Sequence, residues 1–286
     1  MANQQTDSLA ESRTTPTTIN KPPITTSSRP KTFLGRNLQE WLPTIVGIAS
    51  ILVVGGLWEL AGQLKIIDSF VLSWPSKFIP ELFRIIETGQ LAADLAVSGL
   101  EFLGGFVLSL LGIPLGLAIG KWRVLEWILD PYIAVMNALP LVALVPLLVV
   151  IFGLGIASKI AIIFLLAFFT VVISTAAGVK TTDPSLIKAA RSFGGTELQI
   201  FTKVIIPSCV PFIIAGLRLA VGKALIGVVI GELLASTQGI GYSLRSAAEL
   251  FRTANFFANL LVLAVFAVFF NWVLTVLEKR LAPWKD

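Results

Sequence analysis

The feature that most constrains this chain is a succession of long apolar stretches, at about 43–62, 95–120, 132–152, 159–179, 211–236 and 257–277, separated by shorter polar segments. A helix crossing roughly 30 Å of hydrocarbon at 1.5 Å per residue needs about 20 apolar residues, and each stretch is of that length. A water-soluble domain of 286 residues would have to coat itself with polar side chains, yet 55% of these residues are hydrophobic and 14% charged. The mean hydropathy is +0.85. The expected fold is therefore all-α: a polytopic membrane helix bundle with about six transmembrane helices over residues 41–286. Gly112, Pro114 and Gly116 in the second stretch, and Pro140 and Pro146 in the third, predict kinks or local unwinding.

Residues 1 to about 40 are rich in Ser, Thr, Pro, Asn and Gln, and read as a disordered tail. The tail lacks the apolar core and small-residue cleavage site of a secretory signal, so the first apolar block is expected to remain as a span. Placing the tail in the cytoplasm gives cytoplasmic segments fourteen of the 22 Lys and Arg residues, from Arg13 to Lys285, and external segments six. By the positive-inside bias both termini are cytoplasmic. The net charge of +5 is spread between apolar blocks rather than gathered in a stripe, which argues against a nucleic-acid partner. One cysteine, Cys209, excludes an intrachain disulfide, and with no His no metal site is expected.

The segment 63–93 is too polar to span. Within it, 77–89 places Phe78, Leu82, Ile85 and Ile86 at helical spacing, predicting an amphipathic helix that lies at the interface or packs on the bundle.

The most informative segment is the polar loop 180–211, KTTDPSLIKAARSFGGTELQIFTKVIIPSCVP. Asp183 ahead of Pro184 is a helix start and Gly194-Gly195 a stop, which predicts a short helix at about 184–193. Thr196 with Gln199 forms a capping box, predicting a second helix from 197 to about 206, interrupted by Pro207. The result is a helix–glycine–helix elbow. Small Ala189 and Ala190 beside Phe193 suit a groove on a partner.

The run Ala189-Ala190, Gly194, Val204, Ile206 and Pro207, in its spacing, resembles the "EAA" loop of binding-protein-dependent ABC importer permeases, with Lys188 where that family usually has Glu. The likeness extends through Leu57-Trp58-Glu59, Trp74-Pro75-Ser76, 112-GIPLG-116, 152-FGLG-155, 216-GLR-218, Gly231-Glu232 and 239-GIGY-242, which are similar to the nitrate/sulfonate/taurine/bicarbonate branch. Glu101, where a basic residue is common, and Asn137 ahead of Pro140 depart from the branch pattern. The resemblance implies a type I importer permease fold in a bacterial inner (plasma) membrane and an ATPase contact made by Lys188, Ala189, Ala190, Phe193, Gly194 and Pro207. It also implies two cytoplasmic ATP-binding subunits, an extracytoplasmic substrate-binding protein and a second permease copy. ATP and Mg would sit on the partner subunits, with no cofactor on this chain, which has no phosphate-cradling G-x-x-x-x-G-K-[ST] sequence.

Polar residues at membrane depth are functional candidates. Glu232, Lys223, Asn137 and Glu101 are the pathway candidates. Glu232 either lines the pathway or sits in a structural ion pair, and Lys223, nine residues earlier in the sequence, lies on the opposite helical face. Arg218 has the alternative of snorkelling to headgroups. Gly222, Gly227 and Gly231 let a neighbouring helix approach closely, within the chain or across a homodimer. Cys209 is expected to be structural. A secondary transporter or channel working alone is the competing reading, disfavoured by the lack of internal repeats and of a midplane relay. A membrane enzyme is disfavoured by the absence of any nucleophile or paired-carboxylate constellation.

Overall fold

The computed structural model describes residues 33–66 and 68–281. Most of the expected tail, 1–32, and residues 282–286 lie outside them. Residues 33–40, read from the sequence as tail, are already helical. The first helix, α1 (Phe33–Gln63), begins there because Leu34, Leu38, Trp41 and Ile45 continue a three-to-four residue apolar spacing ahead of the main stretch.

The chain divides into two units, 1–53 and 54–286, with the boundary inside α1. In the first, residues 45–53 of α1 carry exposed, mostly apolar side chains. The second holds the end of α1 and the helices α2 (Pro75–Glu87), α3 (Gln90–Ser109), α4 (Gly112–Lys121), α5 (Arg123–Ala138), α6 (Val145–Phe152) and α7 (Ile156–Lys180). These are followed by α8 (Pro184–Ser192), α9 (Glu197–Ile200), α10 (Ile206–Ala235), α11 (Ile240–Glu249) and α12 (Thr253–Leu281). Among the described residues five helical segments are long and apolar enough to cross a membrane: 45–63, 90–121, 156–180, 197–235 and 253–280. Counting α5 and α6 together as one broken span makes six.

That broken span corrects the expectation of a continuous crossing at 132–152. The α5 and α6 axes meet at 86°. The cause is Pro140: the residue before a proline is pushed out of the helical region, and Leu139 is extended at φ −67°, ψ 137°. A milder break separates α3 from α4, four residues ahead of Pro114. The Leu110 carbonyl, denied an N–H from residue 114, accepts one from Ile113 at 2.9 Å.

The centre of the second unit is α7. Gly105, Gly112, Gly116 and Gly120 line the side of α3 and α4 that faces it, and a Cβ at Gly112 or Gly116 would fall 2.9 Å from the Phe168 carbonyl oxygen or 2.6 Å from that of Val172. Small residues at this spacing let helix backbones approach closely, the usual source of helix association inside lipid. α7 also packs on α10, where Ile163, Ala167 and Val171 meet Ala220, Ala224 and Val228 in one buried cluster. Phe266 and Phe270 of α12 close that cluster against Phe102 of α3, at ring separations of 5.3 and 4.7 Å. Gly227 and Gly231 of α10 also lie against α7, near Ile163 and Lys159. Gly222 does not: nothing lies within 4 Å of where its Cβ would be.

The helix expected at 77–89 is α2. It buries Phe78 and Ile85, whereas Ile86 is exposed and Leu82 half-buried. Phe78 stacks on Phe257 of α12 and meets Trp58 of α1 at a tilt of 38°, and the Glu59 carboxylate accepts the Ser76 amide at 2.9 Å.

Candidate functional site

The elbow is built by local chemistry. The Asp183 carboxylate accepts the Ser185 amide at 2.8 Å, capping α8, and that bond holds the carboxyl below its usual range. At the other end Gly194 takes φ +76°, a left-handed conformation that glycine adopts freely, and the Gly194 and Gly195 amides bond back to Arg191 and Ala190. Thr196 and Gln199 then form the expected reciprocal box, at 2.9 and 3.3 Å. Arg191 bonds Glu197 across the elbow at 2.6 Å.

Pro207 does not interrupt the following helix as expected. It sits in the first turn of α10, directly after a π-helical turn at Phe201–Ile205 that links α9 to α10 and absorbs the missing N–H. Beneath it Lys121 lies 4.2 Å over the Phe201 ring.

No side chain of α8 is buried. Leu186, Ala189, Ala190 and Phe193 fall at i, i+3, i+4 and i+7, one apolar stripe, and Phe193 at its end is 91% exposed. Lys188 is exposed off that stripe. Of the described helices with eight or more residues and described side chains, α8 and α5 bury nothing. At α8 the geometry is that of a helix held by its caps, with its apolar face exposed.

The membrane-depth candidates separate into two environments. Glu232 and Glu101 are enclosed, at 0% and 1% exposure, so in this structure neither faces an opening. Glu101 pairs with Lys159 at 2.6 Å, and Lys159 also donates to Ser236 at 2.8 Å. Glu232 has a different set: it accepts Ser98 Oγ at 2.6 Å and the Gly241 amide. The cation expected beside Glu232 is thus bonded to Glu101 instead. Lys223 is exposed on the opposite face of α10, in a stripe with Leu219, Gly222 and Ile226, and no ion pair reaches it among the described residues. Asn137 is exposed at the end of α5, beside the 86° bend. Arg218, read as a snorkelling residue, is instead bonded to Glu278 at 2.6 Å and Thr275 at 3.1 Å of α12.

Sequence reasoning missed Asp94, Ser98 and Lys159. Asp94, Ser98 and Glu101 recur at i, i+4 and i+7 on α3, a polar face at helical spacing that was legible had the span been started before residue 95.

A multi-span bundle with a capped, exposed elbow is the architecture of a membrane-embedded subunit. Residues 112–283 match the family described as "Binding-protein-dependent transport system inner membrane component". An ABC transporter permease protein of Brucella abortus is 33% identical over 256 residues, covering 89% of this chain and 97% of that protein. The Escherichia coli taurine transport system permease protein TauC is 34% identical over 245 residues, covering 84% and 89%. The aliphatic sulfonates transport permease protein SsuC of Bacillus subtilis is 31% identical over 253 residues, covering 88% and 91%. Inward-facing MetNI methionine ABC transporter superposes with a TM-score of 0.55 at 18% identity, over 66% of this chain and 92% of that one. The chain belongs to the binding-protein-dependent ABC importer permeases and is a multi-pass inner-membrane transport subunit.

Proposed function

We propose that two copies of this chain enclose the translocation pathway of an ATP-driven importer for a small oxyanion of the sulfonate type. The reading is supported above all by the elbow: a capped helix with an exposed apolar stripe is what a partner groove would take. Two cytoplasmic subunits bind and hydrolyse ATP with Mg, and each seats one α8 through Ala189, Ala190 and Phe193. Gly194 sets the angle of the elbow and Pro207 with its π turn joins it to α10. Lys188 meets the partner at the rim of the groove.

The bias of fourteen basic residues against six supports a cytoplasmic elbow and cytoplasmic termini. A soluble binding protein delivers substrate to the opposite face. Lys223 supports the homodimer and the anionic cargo together. A lysine near the middle of α10, exposed beside Gly222 and without an ion pair among the described residues, would cost about 2.5–3.5 kcal/mol against acyl chains. Facing a second copy across a watered path it has solvent and attracts an anion. Asn137 at the bend of α5 borders the same path. The taurine and sulfonate relatives support that cargo class.

The test is to reconstitute the chain with its ATPase subunits and binding protein and follow uptake of labelled taurine or alkanesulfonates. Gly194→Trp is expected to abolish ATP-dependent uptake while leaving the bundle folded. Uptake without ATPase subunits, or undiminished coupling in Gly194→Trp, contradicts the reading. Lys223→Ala is expected to lower uptake with assembly preserved.

A further inference from the structure

The end of α1 stops on a lysine where a glycine is usual. The Lys65 amide returns to the Gly62 carbonyl and the Ile66 amide to that of Ala61, both at 3.1 Å, the pattern in which a helix closes on one left-handed residue. Lys65 takes that place at φ +56°. A glycine would close the turn with less strain. What the lysine adds is a cation at a fixed point beside the helix end.

That cation borders an open pocket of about 460 Å³, within the size range of small-ligand sites. Trp74 and Lys77, at the start of α2, also line it. Gly62 is required there by contact, since a Cβ would overlap the Trp74 ring, and Lys77 Nζ stands 4.0 Å from the centroid of that ring. Neither Lys65 nor Lys77 makes an ion pair among the described residues. Asp68, the one acid in the lining, accepts the Phe70 amide at 2.9 Å, and Glu59 of α1 is engaged by the Ser76 amide and Gln63. Two unpaired cations against one engaged carboxylate suit the pocket to an anion.

The rim points to the kind of anion. Leu60, Leu64 and Ile66 ahead of the pocket, and Phe70 and Val71 after it, are 52% to 74% exposed. Apolar side chains around a site facing bulk water gain nothing, whereas at a membrane boundary acyl chains cover them. On α2, Ile79, Phe83 and Ile86 form an exposed apolar stripe, and Lys77 and Arg84 fall on the far side of the helix. That division suits a helix lying in the headgroup layer, where Trp and Lys are the common anchors. Thr253, which begins α12, donates to the Ser69 carbonyl at 2.8 Å, so the pocket lies at the end of the bundle where α10 finishes, away from the elbow.

We propose that this pocket binds the phosphate of an anionic phospholipid in the leaflet opposite the elbow. Lys65 and Lys77 are its charge partners, Trp74 is the interfacial anchor, and the acyl chains run along Leu60 and Leu57 of α1. Because the two lysines come from different elements, a single headgroup joins the end of α1 to the start of α2.

The test places the full chain in phosphatidylcholine vesicles doped with either phosphatidylglycerol or phosphatidylcholine carrying the same photoreactive group next to the phosphate, and maps the adducts after illumination. Adducts on residues 62–77 are expected to be enriched for phosphatidylglycerol. Lys65→Gln and Lys77→Gln should each lower that enrichment about fivefold, and arginine at both positions should keep it. Free glycerol phosphate in excess should leave the adducts in place. Equal labelling by the two lipids overturns the lipid site, and it is read on the unaltered chain, so the folding of the variants does not enter. Enrichment that survives both glutamine substitutions overturns the part given to the lysines. Loss of the adducts to free glycerol phosphate would make the pocket a site for soluble anions and overturns the lipid instead.

Discussion

The two ends of the bundle solve opposite problems. At the elbow the backbone is satisfied by its own neighbours, through Asp183, Thr196 and two glycines, and the apolar side chains are left over. At the α10–α11 turn the polar groups are consumed within the chain, and the caps of α11 come from Asp94 of α3, 145 residues away, and from Glu232 of α10. A surface whose polar needs are met locally can wait for an outside partner at little cost. One whose needs are met by distant helices reports on how those helices sit.

The contrast can be broken first at the buried charges. Glu101→Ala would strand Lys159 in the interior and is expected to destabilise the chain by about 3–5 kcal/mol in detergent unfolding, with Lys159→Met restoring much of the loss. If Glu101→Ala is silent, the pair is not enclosed as described. Between the two ends, Gly116→Val would press a branched side chain on the Val172 carbonyl and Thr175, costing about 1–3 kcal/mol and lowering the amount of folded protein recovered from membranes.

Effects at the elbow should be smaller in stability and larger in coupling. Thr196→Ala removes one half of the capping box and is expected to cost about 1 kcal/mol, seen as faster amide exchange over 197–200 while the membrane spans keep their protection. Arg191→Ala breaks an exposed pair and should change stability by less than about 1 kcal/mol. Lowering the pH through the depressed Asp183 pKa should loosen α8 selectively, because the cap contributes fully above the ordinary carboxylate range and is lost once the folded-state carboxyl protonates. A helix whose exchange is unaffected by that titration would not be held by its caps.

The same contrast explains how much could be read from the sequence. Elements set by local rules were legible: the spans from apolar length, the start of α8 from Asp183-Pro184, its end from Gly194, and the box from Thr196 and Gln199. Pro207 misled because a proline stop and a proline placed after a π turn have the same local pattern, and only the continuing helix 206–235 separates them. The 86° bend at Pro140 was visible as a possible kink but not as a fold-back. The buried cluster was the least legible. Glu101 and Lys159 lie 58 residues apart and Ser98 and Glu232 134 apart, so their pairing follows from helix packing that no local period encodes. Lys159 is enclosed because α7 begins at Ile156 and carries it into the packed bundle.

The central claim, that the exposed stripe of α8 seats in an ATP-hydrolysing partner, is tested most directly from Phe193. Its side chain is almost wholly exposed, so a photoreactive residue placed there leaves the chain's own packing untouched. Illumination of the intact complex in membranes should give one dominant adduct, to the ATP-hydrolysing subunit, and the adduct should vanish when that subunit is omitted. Efficient ATP-driven uptake by the same photoreactive protein, with adducts only to lipid or to no protein at all, would contradict it.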